Sequence, residues 1–159
     1  MILGRLMTRR NRDEHQARLQ HILPGGRGLW VPMDHGLSGY PEPGLDRMDE
    51  VIDAVIEGGA DAVILQKGVL THHASRTGWG GFIAHLSAST VHGGNRSQLK
   101  VLVGSAQEAY DRGAVAVSGQ VNLGDDYETE MLVNLGNLTE QAWAIDLPVL
   151  GMVYPRGEN

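Results

Sequence analysis

Two stretches of this chain repeat one structural instruction. Glu57-Gly58-Gly59-Ala60-Asp61-Ala62-Val63 and Asp111-Arg112-Gly113-Ala114-Val115-Ala116-Val117 align at a constant offset of 54 residues. Each ends a helical pattern with glycine, which reaches the left-handed conformation that stops a helix. Each then opens an apolar run with Ala-x-Ala-Val, small enough at its start for helix and sheet to pack closely. A helix–glycine–buried-strand unit that returns implies alternating strands and helices, and hence a parallel sheet with right-handed crossovers.

The rest of the chain fits that alternation. Residues 4–23 carry Leu6, Ala17, Leu19, Ile22 and Leu23 among charges, which predicts a helix ahead of the first strand, ended by Pro24-Gly25-Gly26. Leu29 to Met33 has no polar alternation, as expected of a strand covered on both faces. A Gly- and Pro-rich loop, 37–44, leads to a helix in which Met48, Val51, Ile52, Val55 and Ile56 recur at three- and four-residue steps. Strands are predicted over 60–65, 82–86, 101–103, a segment closing at 120–124, and 149–154. Helices are predicted over 105–112, with Ser105 as cap, and through Met131, Leu135, Leu138, Ala142 and Ile145. No Gly-x-Gly-x-x-Gly follows the first strand, which disfavours a dinucleotide-binding sheet. The expected fold is a single α/β unit over 1–159, a TIM (β/α)8 barrel that is incomplete. Five main strands are present where closure takes eight. Such a sheet is expected to leave an exposed edge at its first and fifth strands and an uncovered interior of Val, Ile and Leu.

Composition narrows the function. A formal charge of −6 and a pI near 5.6 argue against nucleic acid or an anionic membrane as partner. Arg5, Arg9, Arg10 and Arg12 are followed at once by Asp13 and Glu14, the pattern of a solvated helix face. The absence of cysteine excludes disulfides and thiolate chemistry. No apolar run approaches membrane-spanning length, so a cytoplasmic location is expected.

Parallel strands aim their carboxyl ends at one rim, where ligands of such folds bind. Asp34 and His35, Gln66 and Lys67, His85, Gln120 and Asn122, and Tyr154 and Arg156 all fall at such ends. Lys67, one of two lysines, could form a Schiff base with a ketone, bind phosphate, or pair with Asp34. The other, Lys100, lies in a polar loop. Tyr154 stands two residues from Arg156, and a phenol beside a cation can relay a proton. Metal ligation is open to His35, His72, His73, His85 and His92 with Asp34. No tight ligand signature is present, however, and adjacent His72 and His73 are not expected to aim both rings at one ion. No metal or other cofactor is expected.

One family carries these pieces in the same order. Val31-Pro32-Met33-Asp34-His35-Gly36, Gly58-Gly59-Ala60-Asp61-Ala62-Val63, Gln66-Lys67-Gly68, His85-Leu86-Ser87, Val121-Asn122-Leu123-Gly124 and Tyr154-Pro155-Arg156-Gly157 resemble the archaeal-type class I fructose-bisphosphate aldolases, and most of all their 2-amino-3,7-dideoxy-D-threo-hept-6-ulosonate synthase branch. The resemblance implies a TIM barrel, assembly into homo-oligomers, and a lysine on strand six that forms a Schiff base with a phosphorylated ketose. It makes Asp34 the strand-one acid around the imine and Tyr154 the strand-five acid/base. His35, Lys67, His85 and Arg156 become substrate-binding residues of the pocket. The family's strand-six lysine and phosphate loops would follow Asn159, so the chain alone is expected to be inactive or nearly so. A second chain supplying strands six to eight, or a longer parent protein, would complete it. The alternatives are a metal-dependent aldolase using Asp34, His35 and His85, and a non-catalytic subunit or remnant.

Overall fold

A computed structural model describes residues 9–37, 39 and 42–156. Helix α1 (Arg9–Ile22) stops at a 3-10 turn over Pro24–Gly26. Residues 4–8 of the expected first helix lie outside the described residues, as does Gly157 of the last motif. Strand β1 (Trp30–Pro32), helix α2 (Met48–Glu57), strand β2 (Ala62–Gln66) and helix α3 (Lys67–Thr77) follow. Next come β3 (Phe82–His85), β4 (Ser87–Ala88), β5 (Val101–Leu102), α4 (Ala106–Asp111), β6 (Ala116–Leu123), α5 (Glu128–Trp143) and β7 (Val149–Pro155).

Five strands pair in parallel in the order β1-β2-β3-β6-β7, the half-barrel expected of an incomplete (β/α) barrel. The repeat is exact down to its caps. Gly59 and Gly113 both take positive φ, 86° and 97°. Their amides bond Ile56 O and Tyr110 O, while Ala60 and Ala114 donate to Val55 O and Ala109 O. All four partners are related by the same 54-residue shift, and β2 and β6 then begin at Ala62 and Ala116. Ser105 caps α4 as expected, its Oγ accepting from Glu108 N at 3.1 Å.

Two expectations needed correction. The run 101–103 does form a strand, but outside the main sheet: β5 pairs antiparallel with β4, Ser87 opposite Leu102. The interior is also not left bare. Alternation along the strands sends Val63, Leu65, Phe82, Ala84 and Val117 into one cluster with Ile52, Leu70, Ala109 and Leu138 of the helices. Ala62, Ile64, Ile83 and Ala116 point the other way and are covered by Ile22 of α1, with Leu23, Trp30, Leu150 and Met152 against them. Trp30 Nε1 donates to Ile22 O at 2.6 Å, fastening α1 beneath the sheet. Gly28 is required there, because a Cβ would run into the Ile22 carbonyl and the Trp30 ring. The edges are less protected: β7 is half-buried to exposed through its length, with Val153 and Tyr154 exposed, whereas β2 and β3 are buried almost throughout.

Helix α3 has no counterpart in the sequence prediction. It starts immediately after β2 with no loop between, and its Lys-Gly-Val-Leu-Thr-His-His run is poor in strong helix formers. Packing holds it instead: Leu70 and His73 are buried.

Candidate active site

The inward-facing rungs change character along the strands. Below they are Ala62, Ile64, Ile83 and Ala116. At the carboxyl ends they become Asp34, His85, Ser118, Gln120, Asn122 and Tyr154. Polar groups at that level need partners, because a buried polar atom without one costs about 1–3 kcal/mol. They supply them to each other. Gln120 Nε2 donates to Asn122 Oδ1 at 2.9 Å, and Asn122 Nδ2 donates to Gln98 O at 2.7 Å. Gln98 belongs to the segment between β4 and β5, so these bonds draw that segment over the rim.

A cavity of roughly 420 Å³ opens there. Asp34, His35, Tyr154 and Arg156 line it, together with Lys100 and Gln120. Asp34 and Tyr154 thus reach one cavity from opposite edges of the sheet, Asp34 just past β1 and Tyr154 on β7. The Arg156 guanidinium lies over the Tyr154 ring at 5.2 Å. The Asp34 side chain is only 14% exposed, and Oδ2 faces His85 Nε2 at 3.5 Å.

His85 is itself buried and does not line the cavity. Its Nδ1 lies 2.7 Å from Ser118 Oγ. Burial is the main cause that pushes its pKa below the ordinary 6.5; the Lys100 and His35 charges act the same way, and Asp34 opposes them. A neutral His85 accepting from the Ser118 hydroxyl carries its proton on Nε2, facing Asp34. The ring therefore stands behind the Asp34 carboxylate and not on the cavity wall.

Lys67 is not brought to this cavity. Its ammonium holds Glu108 at 2.9 and 3.0 Å, one helix over. That bond, together with the one from Arg112, holds the Glu108 carboxyl below its usual range. The pairing partner is Glu108, not Asp34.

The cavity's amine is Lys100, which composition alone had left in a polar loop. It is 7% exposed and donates to Ser89 Oγ at 2.7 Å. Burial lowers its pKa, as does Arg156, while Asp34 opposes. No sequence cue pointed to it: Lys100 precedes a strand instead of ending one, and it reaches the rim through the antiparallel pairing of β5 with β4. Gln66, at the end of β2, carries a buried donor, Nε2, with no hydrogen-bond partner among the described residues.

Among the described residues, the one group of three His or acidic side chains with ligand atoms close enough to share an ion is Asp49, His72 and His73, on the helices outside the sheet. No helix of the described residues is long and apolar enough to cross a membrane.

Comparison with known proteins agrees with this architecture. The family model for DeoC/LacD family aldolases matches residues 29–159. The chain is 38% identical over 143 residues to 2-amino-3,7-dideoxy-D-threo-hept-6-ulosonate synthase 1 of Archaeoglobus fulgidus, covering 89% of this chain and 54% of that protein. It is 37% identical over 141 residues to the 2-amino-3,7-dideoxy-D-threo-hept-6-ulosonate synthase of Halobacterium salinarum, covering 89% and 53%. An archaeal fructose-1,6-bisphosphate aldolase, solved with its catalytic Lys covalently bound to the carbinolamine intermediate of the substrate, has the same fold over 90% of this chain and 58% of its own, with a TM-score of 0.75 at 24% identity. The chain therefore spans about half the length of the curated relatives it matches. Matched by that family model through every described strand of its half-barrel, this chain is a member of the DeoC/LacD aldolase family.

Proposed function

We propose that this chain supplies the acid/base half of a Schiff-base aldolase or transaldolase-like synthase acting on a phosphorylated ketose. The observation that carries the proposal is the shared cavity of Asp34 and Tyr154. The family, and the names of the relatives, support the substrate class: fructose-bisphosphate or a related ketose phosphate.

In such a reaction an amine adds to the ketose carbonyl to give a carbinolamine, which loses water to become an imine. Water departs only when its oxygen gains a proton and the nitrogen loses one. Asp34, mostly withdrawn from solvent and backed by the His85 N–H, is the group in the cavity suited to carry that proton. Carbon–carbon cleavage then requires a base to take the proton of the hydroxyl on the bond that breaks, with the electrons drawn into the imine. Tyr154, with Arg156 over its ring, is placed for that transfer. Lys100 and Arg156 offer N–H donors to anionic or hydroxyl oxygens of the substrate.

The covalent amine is proposed to come from a sixth barrel strand, on residues beyond 159 or on a second chain. Lys67 is engaged by Glu108, and Lys100 is assigned here to substrate binding. Borohydride reduction with a ketose phosphate tests this. The chain alone is expected to yield no adduct. Co-expressed with the carboxyl-terminal half of a family member, it is expected to yield one adduct, on that half, by mass spectrometry. No adduct in either case contradicts the proposal, and an adduct on Lys100 of the lone chain would move the amine onto this half.

A further inference from the structure

Outside the sheet, the loopless start of α3 has a second consequence. It turns His72 and His73 toward the first turn of α2, where Asp49 stands. His72 Nε2 lies 3.4 Å from Asp49 Oδ1, and His73 Nε2 lies 3.7 Å from the same oxygen. The two rings are 4.9 Å apart and nearly perpendicular, at 79°. Neighbouring rings on a helix cannot stack in parallel over one ion, but at this angle their Nε2 atoms converge. Zinc bonds of about 2.0–2.1 Å to nitrogen and oxygen in tetrahedral array place ligand atoms about 3.4 Å apart. All three ligand atoms lie within 4.8 Å of one another.

We infer that Asp49, His72 and His73 form a binding site for a divalent ion of the zinc class on the outer helical layer, clipping α2 to α3. His72 and Asp49 are largely exposed, at 62% and 61% of their side chains, while His73 is the floor at 2%. The fourth position faces solvent and is left to water or an exogenous ligand. Imidazole and carboxylate suit zinc, cobalt and nickel better than magnesium, which prefers oxygen ligands.

Arg76 sets the terms of binding. Its Nε and Nη2 approach His73 Nδ1 at 3.4 and 3.3 Å, so Nδ1 is the acceptor and the ring proton sits on Nε2. A metal on Nε2 needs the other tautomer, with the proton on Nδ1 and Arg76 withdrawn. Asp53 can receive it: Arg76 already holds that carboxylate through Nη1 at 3.1 Å and Nη2 at 2.8 Å. The guanidinium also lies 3.6 Å from Asp49 Oδ1, where it competes with a cation. Arg76 is thus a built-in opponent of the metal, and removing it should tighten binding.

The test is zinc titration of the tag-free chain by calorimetry, with cobalt as a spectroscopic probe of nitrogen and carboxylate ligation. One equivalent should bind, and both His72→Ala and Asp49→Asn, changes at exposed positions, should weaken it by more than about tenfold. Arg76→Met should strengthen it, by about tenfold, an effect that a purely structural role for the cluster does not produce. No binding by the wild-type chain would overturn the inference. So would zinc binding that survives both ligand substitutions, or that is lost instead in a His35→Ala, His85→Ala double variant. The site is independent of the aldolase proposal, and neither result decides the other.

Discussion

The two ends of the concave face use the same strands for opposite purposes. At the amino end, Ala62, Ile64, Ile83 and Ala116 are sealed under α1, with every rung apolar. Two residues further along the same strands, His85 and Ser118 replace aliphatic carbon, and the face opens onto a cavity. Stability and chemistry are therefore separated by about 7 Å along a strand, two residues at about 3.3 Å each. Side-chain identity at one level can change without disturbing the other, because the backbone ladder that joins them does not depend on it.

Substitutions at each end break that comparison in different ways. The largest effect belongs to Asp34→Asn. It should lower turnover of the completed enzyme by about 10²–10⁴-fold with an unchanged melting temperature, read from a coupled cleavage assay beside a thermal melt. Next is Ile83→Ala at the sealed end, where the residue is fully buried. It should cost about 2–5 kcal/mol of stability in urea titration, while the fraction that remains folded keeps its activity. Lys100→Met removes a donor from the cavity, and one charge-assisted hydrogen bond is worth about 1.5–3 kcal/mol. It should raise KM for the phosphorylated ketose by about tenfold or more and change kcat less.

The smallest effect is a pH dependence. His85 and His73 both have pKa values below the ordinary 6.5 when folded. Between that value and their folded ones, the unfolded chain binds protons that the folded chain does not, so stability rises with pH there. It should be complete above about 6.5 and decline as the pH falls further. His85→Asn should flatten part of that slope in melts between about pH 7 and 5, leaving the share due to His73. An unaltered slope would mean that His85 does not hold off protonation behind Asp34.

What could be read in advance follows local rules. The glycine-closed repeat is written in adjacent residues, and its caps at Gly59 and Gly113 match it bond for bond. The placement of Asp34 and Tyr154 at one cavity was legible because strand ends and apolar runs are also local signals. The placement of Lys100 was not, since the β4–β5 pairing that swings it over the mouth joins residues with no shared pattern. The partner of Lys67 was hidden for a related reason: Glu108 is 41 residues away on another helix. The approach of His72 and His73 to Asp49 was not legible, because it depends on α3, whose composition hides the helix that packing enforces.

The most direct measurement is a crystal structure of this chain, completed by a carboxyl-terminal half, after borohydride reduction with a ketose phosphate. The trapped sugar should lie in the cavity, with the Asp34 carboxylate and the Tyr154 phenol both within hydrogen-bond distance of it. An adduct seated elsewhere, or one that leaves either group facing away, would contradict the shared acid/base role.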